Sequence, residues 1–268
     1  MEIEVLEQSE KNSRFILRGV SIPFANALRR IMISEVPSMA IDAVVIVENN
    51  SVINDETLSH RLGLIPLKTD LKTYVLPSEC SCKSELGCNK CRVTLTMEAE
   101  ATETTRTVYS DELKSDDPDT TPVSSKIPIA KLAPGQKIKI EAYARLGIGK
   151  QHAKWQPVAV CAYKFMPKIA FDLKKCDTCA KCVEMCPKGV LKVEGNTLTV
   201  TDILKCTLCN ECVRTCPKDA IEIDWDDTTF IFNIESTGSL PVDQIVEEAS
   251  NILEEKVKSF TDQISKMR

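Results

Sequence analysis

Apolar positions near the start of the chain are spaced for strands. Ile3 and Val5, then Phe15, Ile16 and Leu17, supply two short strands, with Glu10-Lys11-Asn12-Ser13 as the turn between them. The period then changes. Phe24, Leu28, Ile31 and Met32 recur at helical spacing; Ser21 stands at the N-cap, Pro23 suits the first turn and Pro37 ends the pattern. A β-rich run follows from Met39 to Val47, and a short helix over Asp55–Leu64. Strand-like segments recur at Val93–Ala99, Lys137–Ala144, Val158–Tyr163 and Phe230–Glu235. Ser115-Asp116-Asp117-Pro118-Asp119 between them reads as a solvated acidic loop, and Asp224-Trp225-Asp226-Asp227 as a turn.

The last pattern is the longest. Val242, Val246, Ala249, Leu253, Val257, Phe260 and Ile264 fall three and four apart, predicting one helix from Pro241 to Lys266. At about 1.5 Å per residue it would be near 40 Å long. A helix of that length outruns one small domain, so part of its stripe is expected to meet another chain rather than its own sheet.

Composition narrows the class. The 268 residues suffice for about one to three domains and a real core. A net charge of −5 argues against a broad nucleic-acid footprint, which needs clustered Lys and Arg. No apolar run reaches the roughly 20 residues of a membrane span, and Met1-Glu2-Ile3-Glu4-Val5 lacks the order of a signal peptide. A cytoplasmic protein is expected. Thirteen cysteines then point to metal rather than to a disulfide framework.

Eight of those cysteines form a repeat. Cys176–Val193 aligns with Cys206–Ile223 at an offset of 30 residues, and both copies read C-x-x-C-x-x-C-x-x-x-C-P-K before an apolar pair. Four thiolates hold one [4Fe–4S] cluster; three come from the tight loop and the fourth, before proline, reaches the other cluster. Cys176, Cys179, Cys182 and Cys216 are thus expected at one cluster, and Cys206, Cys209, Cys212 and Cys186 at the second. The segment resembles a two-cluster bacterial ferredoxin. Zinc sites or disulfides are the competing readings, and zinc ribbons do not normally cross two such tight copies. The clusters are expected to be mainly structural, closing a segment too small to build its own core, with redox or iron sensing as the other role.

Cys80, Cys82, Cys88 and Cys91 form a second set, C-x-C-x5-C-x2-C, which could close a tetrahedral zinc site or form two disulfides. Cys161, in a strand-like run, is expected to be a buried small hydrophobe. The chain has no phosphate loop of the G-x-x-x-x-G-K-[ST] type and no aspartate cluster for two-metal nucleotidyl transfer.

Four further stretches carry a resemblance. They are Phe24–Met32 with Glu35-Val36-Pro37; Asn54–Leu67; Ala142–Gly147 continuing through Gly149–Pro157; and Glu235–Leu240 before the long helix. In this order they resemble the family that includes the D subunit of archaeal RNA polymerase, the third-largest subunit of eukaryotic polymerase II and the bacterial alpha N-terminal domain. The ferredoxin-like insert points to the archaeal branch, and eight ligands to the two-cluster form of methanogens. The resemblance implies an α+β chain in three parts: a discontinuous dimerisation domain, 1–38 and 224–268; a β-rich insert domain with the four-cysteine loop, 39–165; and a ferredoxin-like domain, 166–223. It implies a non-catalytic scaffold that pairs with the L subunit of RNA polymerase as a heterodimer and supports the large B subunit, with the small N and P subunits nearby. Phe24, Leu28, Arg29, Arg30, Ile31, Val246, Leu253 and Phe260 would then face partners, although Arg29 and Arg30 read equally well as a solvated basic pair. His152 and Lys154 share that ambiguity between a partner contact and a structural role. The eukaryotic zinc loop lies at the place of Cys80–Cys91, though the central gap is longer here. A ferredoxin-like electron carrier with an N-terminal interaction domain is the competing function; it would need neither the long helix nor the Asn26–Arg30 motif.

Overall fold

The computed structural model describes residues 1–84 and 87–267. They divide into two compact units: Met1–Glu7, Arg14–Asn26 and Ala162–Asn233 form the first, and Gln8–Ser13, Ala27–Cys161 and Ile234–Arg268 the second. The elements mix α and β throughout.

Mostly within the first unit, β1 (Glu2–Gln8) and β2 (Asn12–Arg18) are the expected opening strands. With β9 (Val158–Phe171) and β12 (Ile221–Ser236) they make one sheet in the order β1-β2-β12-β9. Rings hold it together. Phe15 stacks on Phe232 at 5.2 Å, and Tyr163 meets Phe230 edge-on at 5.1 Å, arrangements that add to simple burial. Asp224–Asp227 is no turn: it lies within β12, which is one unbroken strand of 16 residues. The acidic run misled because exposed strand positions tolerate polar residues as readily as turns do. The cysteine repeat supplies α3 (Lys181–Glu184), α4 (Glu211–Thr215) and the antiparallel pair β10 (Leu191–Glu194) and β11 (Thr197–Val200).

The second unit is built on β3 (Pro37–Asn49), β4 (Val93–Glu100), β6 (Lys114–Ser115) and β8 (Lys137–Ile148), in the order β3-β8-β4-β6. The pairing is antiparallel, with Ile41 opposite Ala144 and Val93 opposite Ala144 on its other side. Strict alternation buries Ile138, Ile140, Ala142 and Ala144 of β8 and Val93, Leu95, Met97 and Ala99 of β4 on one face. Helix α2 (Asp55–Gly63) covers them with Leu58 and Leu62, one turn apart, and Asn54 Oδ1 caps it by accepting the Thr57 N–H at 3.2 Å. A second antiparallel pair, β5 (Arg106–Tyr109) and β7 (Pro128–Leu132), was invisible in the periodicity because each strand is so short.

The acidic loop is more than a solvated surface. Asp117 accepts from Tyr74 Oη and Thr120 Oγ1, both at 2.8 Å. Burial opposes its charge, but those two bonds together with one from the Asp119 N–H hold its carboxyl below the ordinary range. Tyr74 rises in turn to about 12, through burial and then the Asp117 bond.

Helix α1 (Ile22–Ser34) starts as expected, Ser21 Oγ accepting the Phe24 N–H at 3.4 Å. Helix α5 (Val242–Lys266) has 25 residues. Its first half is core: Val242, Ile245 and Ala249 are buried. From Glu254 to Met267 every residue is exposed.

Candidate metal centres and partner surface

The loop between α2 and β4 draws four sulfurs together. Ligand atoms of Cys80, Cys82, Cys88 and Cys91 all lie within 4.8 Å of one another. Sγ separations are 3.6 Å for Cys80–Cys88, 3.8 Å for Cys82–Cys91 and 3.9 Å for Cys88–Cys91. Four thiolates about 2.3 Å from one tetrahedral ion stand about 3.8 Å apart, whereas a disulfide brings its sulfurs to about 2.0 Å. All four are free thiols, so the set could hold a metal ion. Backbone turns shape it: the Cys91 N–H and Arg92 N–H both donate to Cys88 O at 2.9 Å, and the Cys88 N–H reaches Cys91 Sγ at 3.2 Å. The Lys90 N–H lowers the Cys88 thiol to about 7, while burial pushes Cys91 up to about 12.

The repeat cysteines line two separate cavities. Cys176, Cys179, Cys182 and Cys216 share one with Leu198 and Ile221; Cys186, Cys206, Cys209 and Cys212 share the other with Leu191 and Ile223. The fourth cysteine of each copy thus sits with the other copy's loop. Burial raises the Cys182 thiol, with the Cys216, Cys176 and Cys179 sulfurs adding to the effect. Burial raises Cys212 to about 11, with Cys186 and Cys206 adding.

The two copies repeat their backbone as well. Thr178 and Ala180 have φ of 54° and 61°; Leu208 and Asn210, thirty positions on, have 58° and 63°. Residues other than glycine seldom hold this left-handed form, which costs of order 1 kcal/mol each. It makes the tight turns that bring three cysteines to one cavity. The Val190 N–H donates to Cys186 Sγ at 3.4 Å and the Ala220 N–H to Cys216 Sγ at 3.3 Å. A four-iron cube bonds each thiolate at a separate iron, so its sulfurs stand wider apart than those around one ion. Among the described residues, only the Cys80–Cys91 set is gathered closely enough for a single ion. Soft thiolates, four to an apolar cavity, fit such a cluster.

The resemblance motifs take structural positions. A Cβ on Gly147 would lie 2.4 Å from two ring carbons of Trp155, and one on Gly149 2.3 Å from Ile33 O. Trp155 Nε1 donates to Arg145 O at 3.2 Å. Lys154 Nζ donates to Asp42 at 2.7 Å and to Ile41 O at 3.1 Å, and Arg145 pairs with Asp42. His152 Nδ1 accepts the Lys154 N–H at 3.0 Å, capping the short turn Ala153–Trp155. His152 and Lys154 therefore have structural work, and no sequence pattern singled out Asp42 as the shared partner of Lys154 and Arg145. In the last motif Gly238 has φ of 92°, and Ser236 Oγ donates to Leu240 O, fixing the turn into α5.

The expected partner residues divide. Leu28 and Ile31 are buried within this chain and present no surface, because they lie on the inner stripe of α1. Phe24, Arg29, Val246 and Leu253 are half-buried, while Arg30 and Phe260 are exposed. Val257 (58%), Phe260 (65%) and Ile264 (42%) carry the open stripe of α5. Cys161, on β9, is half-buried rather than enclosed; its Sγ approaches Arg29 O at 3.8 Å, and burial pushes the thiol to about 12. Lys164, which no motif marks, donates to two carbonyls beside the second cavity; burial, then the Arg14 charge, presses its pKa below the ordinary lysine range.

A helix that is core in its first half and keeps an apolar stripe open in its second has the form of a subunit that pairs with another chain. Its sequence names the partnership: the chain belongs to the RNA polymerase Rpb3/Rpb11 dimerisation-domain family, whose model matches residues 14–257. It is 42% identical over 264 residues to DNA-directed RNA polymerase subunit Rpo3 of Methanosphaera stadtmanae, covering 97% of each chain. It is 41% identical over 267 residues to the Rpo3 of Archaeoglobus fulgidus, covering 100% of this chain and 99% of that one. The Rpo3 of Methanosarcina acetivorans is 41% identical over 262 residues, with 97% of each covered. Among the described residues no helix is long and apolar enough to cross a membrane.

Proposed function

We propose that this chain is a non-catalytic assembly subunit of archaeal DNA-directed RNA polymerase, acting in transcription within that nucleotidyltransferase complex. The observation that carries the reading is identity above 40% to Rpo3 subunits over nearly the whole length of both chains. It dimerises through the family's domain with another polymerase subunit. We assign that partner to the smaller L type, and the pair serves as a cytoplasmic platform for the large B subunit, with N and P alongside. Residues 1–38 and 224–268 would form the discontinuous dimerisation domain, 39–165 the β-rich insert domain and 166–223 the ferredoxin-like domain. The open stripe of α5 supports this. An electron carrier is not favoured, since the relatives match far beyond the cysteine repeat.

In this reading Cys176, Cys179, Cys182 and Cys216 hold one [4Fe–4S] cluster, and Cys206, Cys209, Cys212 and Cys186 the other. Cys80, Cys82, Cys88 and Cys91 hold zinc. When bound, each cluster supplies four iron–thiolate bonds that close its loop, so its role is mainly structural, with a secondary influence on assembly. Anaerobic co-expression with a candidate L subunit tests the whole. A one-to-one complex should carry about eight irons and one zinc per chain. Cys206→Ser should remove the second cluster, unfold its loop and leave pairing intact; loss of pairing would refute the modular reading. Full iron loading without affinity for L would return the electron carrier.

A further inference from the structure

The cysteine repeat is symmetric within itself and asymmetric in its attachment. Lys164 on β9 donates from Nζ to Leu204 O at 2.6 Å and to Cys206 O at 2.7 Å. Arg14 on β2 donates from Nη2 to the same Leu204 O at 3.2 Å. β2 and β9 are the two strands that flank β12 in the sheet. Two cations from both sides of the central strand thus converge on the two residues that lead into the second cavity. The turn they grip, Ile203–Lys205, is fixed by Asp202, whose carboxylate accepts the Leu204 N–H at 3.0 Å.

The first copy is held otherwise. Thirty positions earlier stand Lys174 and Cys176, whose N–H groups bond to Asp172, at its carboxylate and its backbone oxygen respectively. Asp172 in turn follows β9 directly and donates its N–H to Ala220 O at 2.9 Å, so the first loop is fastened by backbone alone. The second copy has the same kind of local cap, and the cation grip besides. Hydrogen bonds from charged donors are stronger than neutral ones and fix a backbone more firmly.

We propose that Lys164, assisted by Arg14, is a positioning residue for the second iron–sulfur site, which alone of the two sites these cations join to β2 and β9 by side-chain bonds. This rests on the reading of the eight cysteines as ligands of two clusters. Ordering of residues 203–212 by the second cluster steadies β2 and β9 through the two cations. Loss of that cluster releases the grip and loosens the sheet at β2 and β9, whereas loss of the first leaves both cation bonds in place.

The test uses the full chain, reconstituted anaerobically, and three variants. Iron release to a ferrous chelator is followed together with hydrogen exchange of residues 176–182, 203–212 and 162–171. Lys164→Met keeps the stem and removes both bonds; it should speed the loss of half the iron by about tenfold or more. Exchange at 203–212 should rise in step with that loss, and 176–182 should keep its wild-type rate. Arg14→Met should act on the same site by about threefold. Lys168→Met alters another lysine of β9, an exposed partner of Asp226 on β12, and should change neither site. In the reduced protein, electron paramagnetic resonance should show one of two cluster signals altered by Lys164→Met. Iron leaving both sites at one rate, as general destabilisation would produce, overturns the proposal, and so does iron held with unaltered rates. A wild-type chain that takes up no iron overturns the cluster reading, and the proposal falls with it.

Discussion

Phe260 is 65% exposed, on a stretch of α5 whose residues are all exposed from Glu254 to Met267. Burying a whole phenylalanine stabilises by about 1.5–3 kcal/mol, so covering the open part contributes roughly 1–2 kcal/mol. Truncation also leaves a gap in the partner, which brings the loss for Phe260→Ala to about 2–3 kcal/mol, the level of an interface hot spot. The dissociation constant should then weaken by about 30- to 150-fold. Titration calorimetry with the purified L-type partner measures it. Folding of the single chain should not change, since the ring makes no core contact to lose. Lys258→Ala is the control. It breaks the Glu254–Lys258 ion pair on the polar face of the same helix, and an exposed pair of that kind should leave affinity within about twofold. A Phe260→Ala affinity indistinguishable from wild type would refute the assignment of this stripe to the partner.

The other expectations concern the four-cysteine loop and the packed motif. Cys88, held near 7 by the Lys90 N–H, should be the first thiol alkylated by iodoacetamide in metal-stripped protein, its rate climbing as pH rises through 7. Cys91, buried and near 12, should stay protected; equal rates for all four would sink the argument. A thiol lowered on folding contributes stability that is present above its unfolded value of about 8.5 and is lost as pH falls through about 7. Bound metal should abolish the alkylation, and acid should weaken the metal by protonating its ligands. Gly147→Ala drives a methyl to 2.4 Å from the Trp155 ring, an overpacking of about 1–3 kcal/mol. Displacing the ring also breaks its bond to Arg145 O, a further loss of about 1 kcal/mol. Urea unfolding followed by Trp155 fluorescence, in a Trp225→Phe background, should show a lower midpoint; an unchanged midpoint would refute the clash.

Elements with a strong period were legible in the sequence, and so was the family. β8 alternates without a break from Ile138 to Leu146, and α5 keeps its stripe for 25 residues. In β12 the sequence shows only a short strand behind a turn, because Asp224, Asp226 and Asp227 carry no apolar signal. Pairing in the sheet decides that stretch, and pairing is not written in local composition. Leu28 and Ile31 failed as surface residues for a related reason. Periodicity gives the apolar side of a helix, but not whether its own chain or another covers it.

The cysteine spacing shows the same division. It encodes two local turns, and the left-handed residues at 178, 180, 208 and 210 repeat with the sequence. Nothing in the spacing says how either turn is fastened to its surroundings. That information sits in Lys164 and Arg14, single polar residues in two strands distant along the chain, each unremarkable until the strands are paired. An internal repeat can thus make two sites alike in ligands and unlike in what their loss would do. The difference lies outside the repeat, where duplication imposes no constraint.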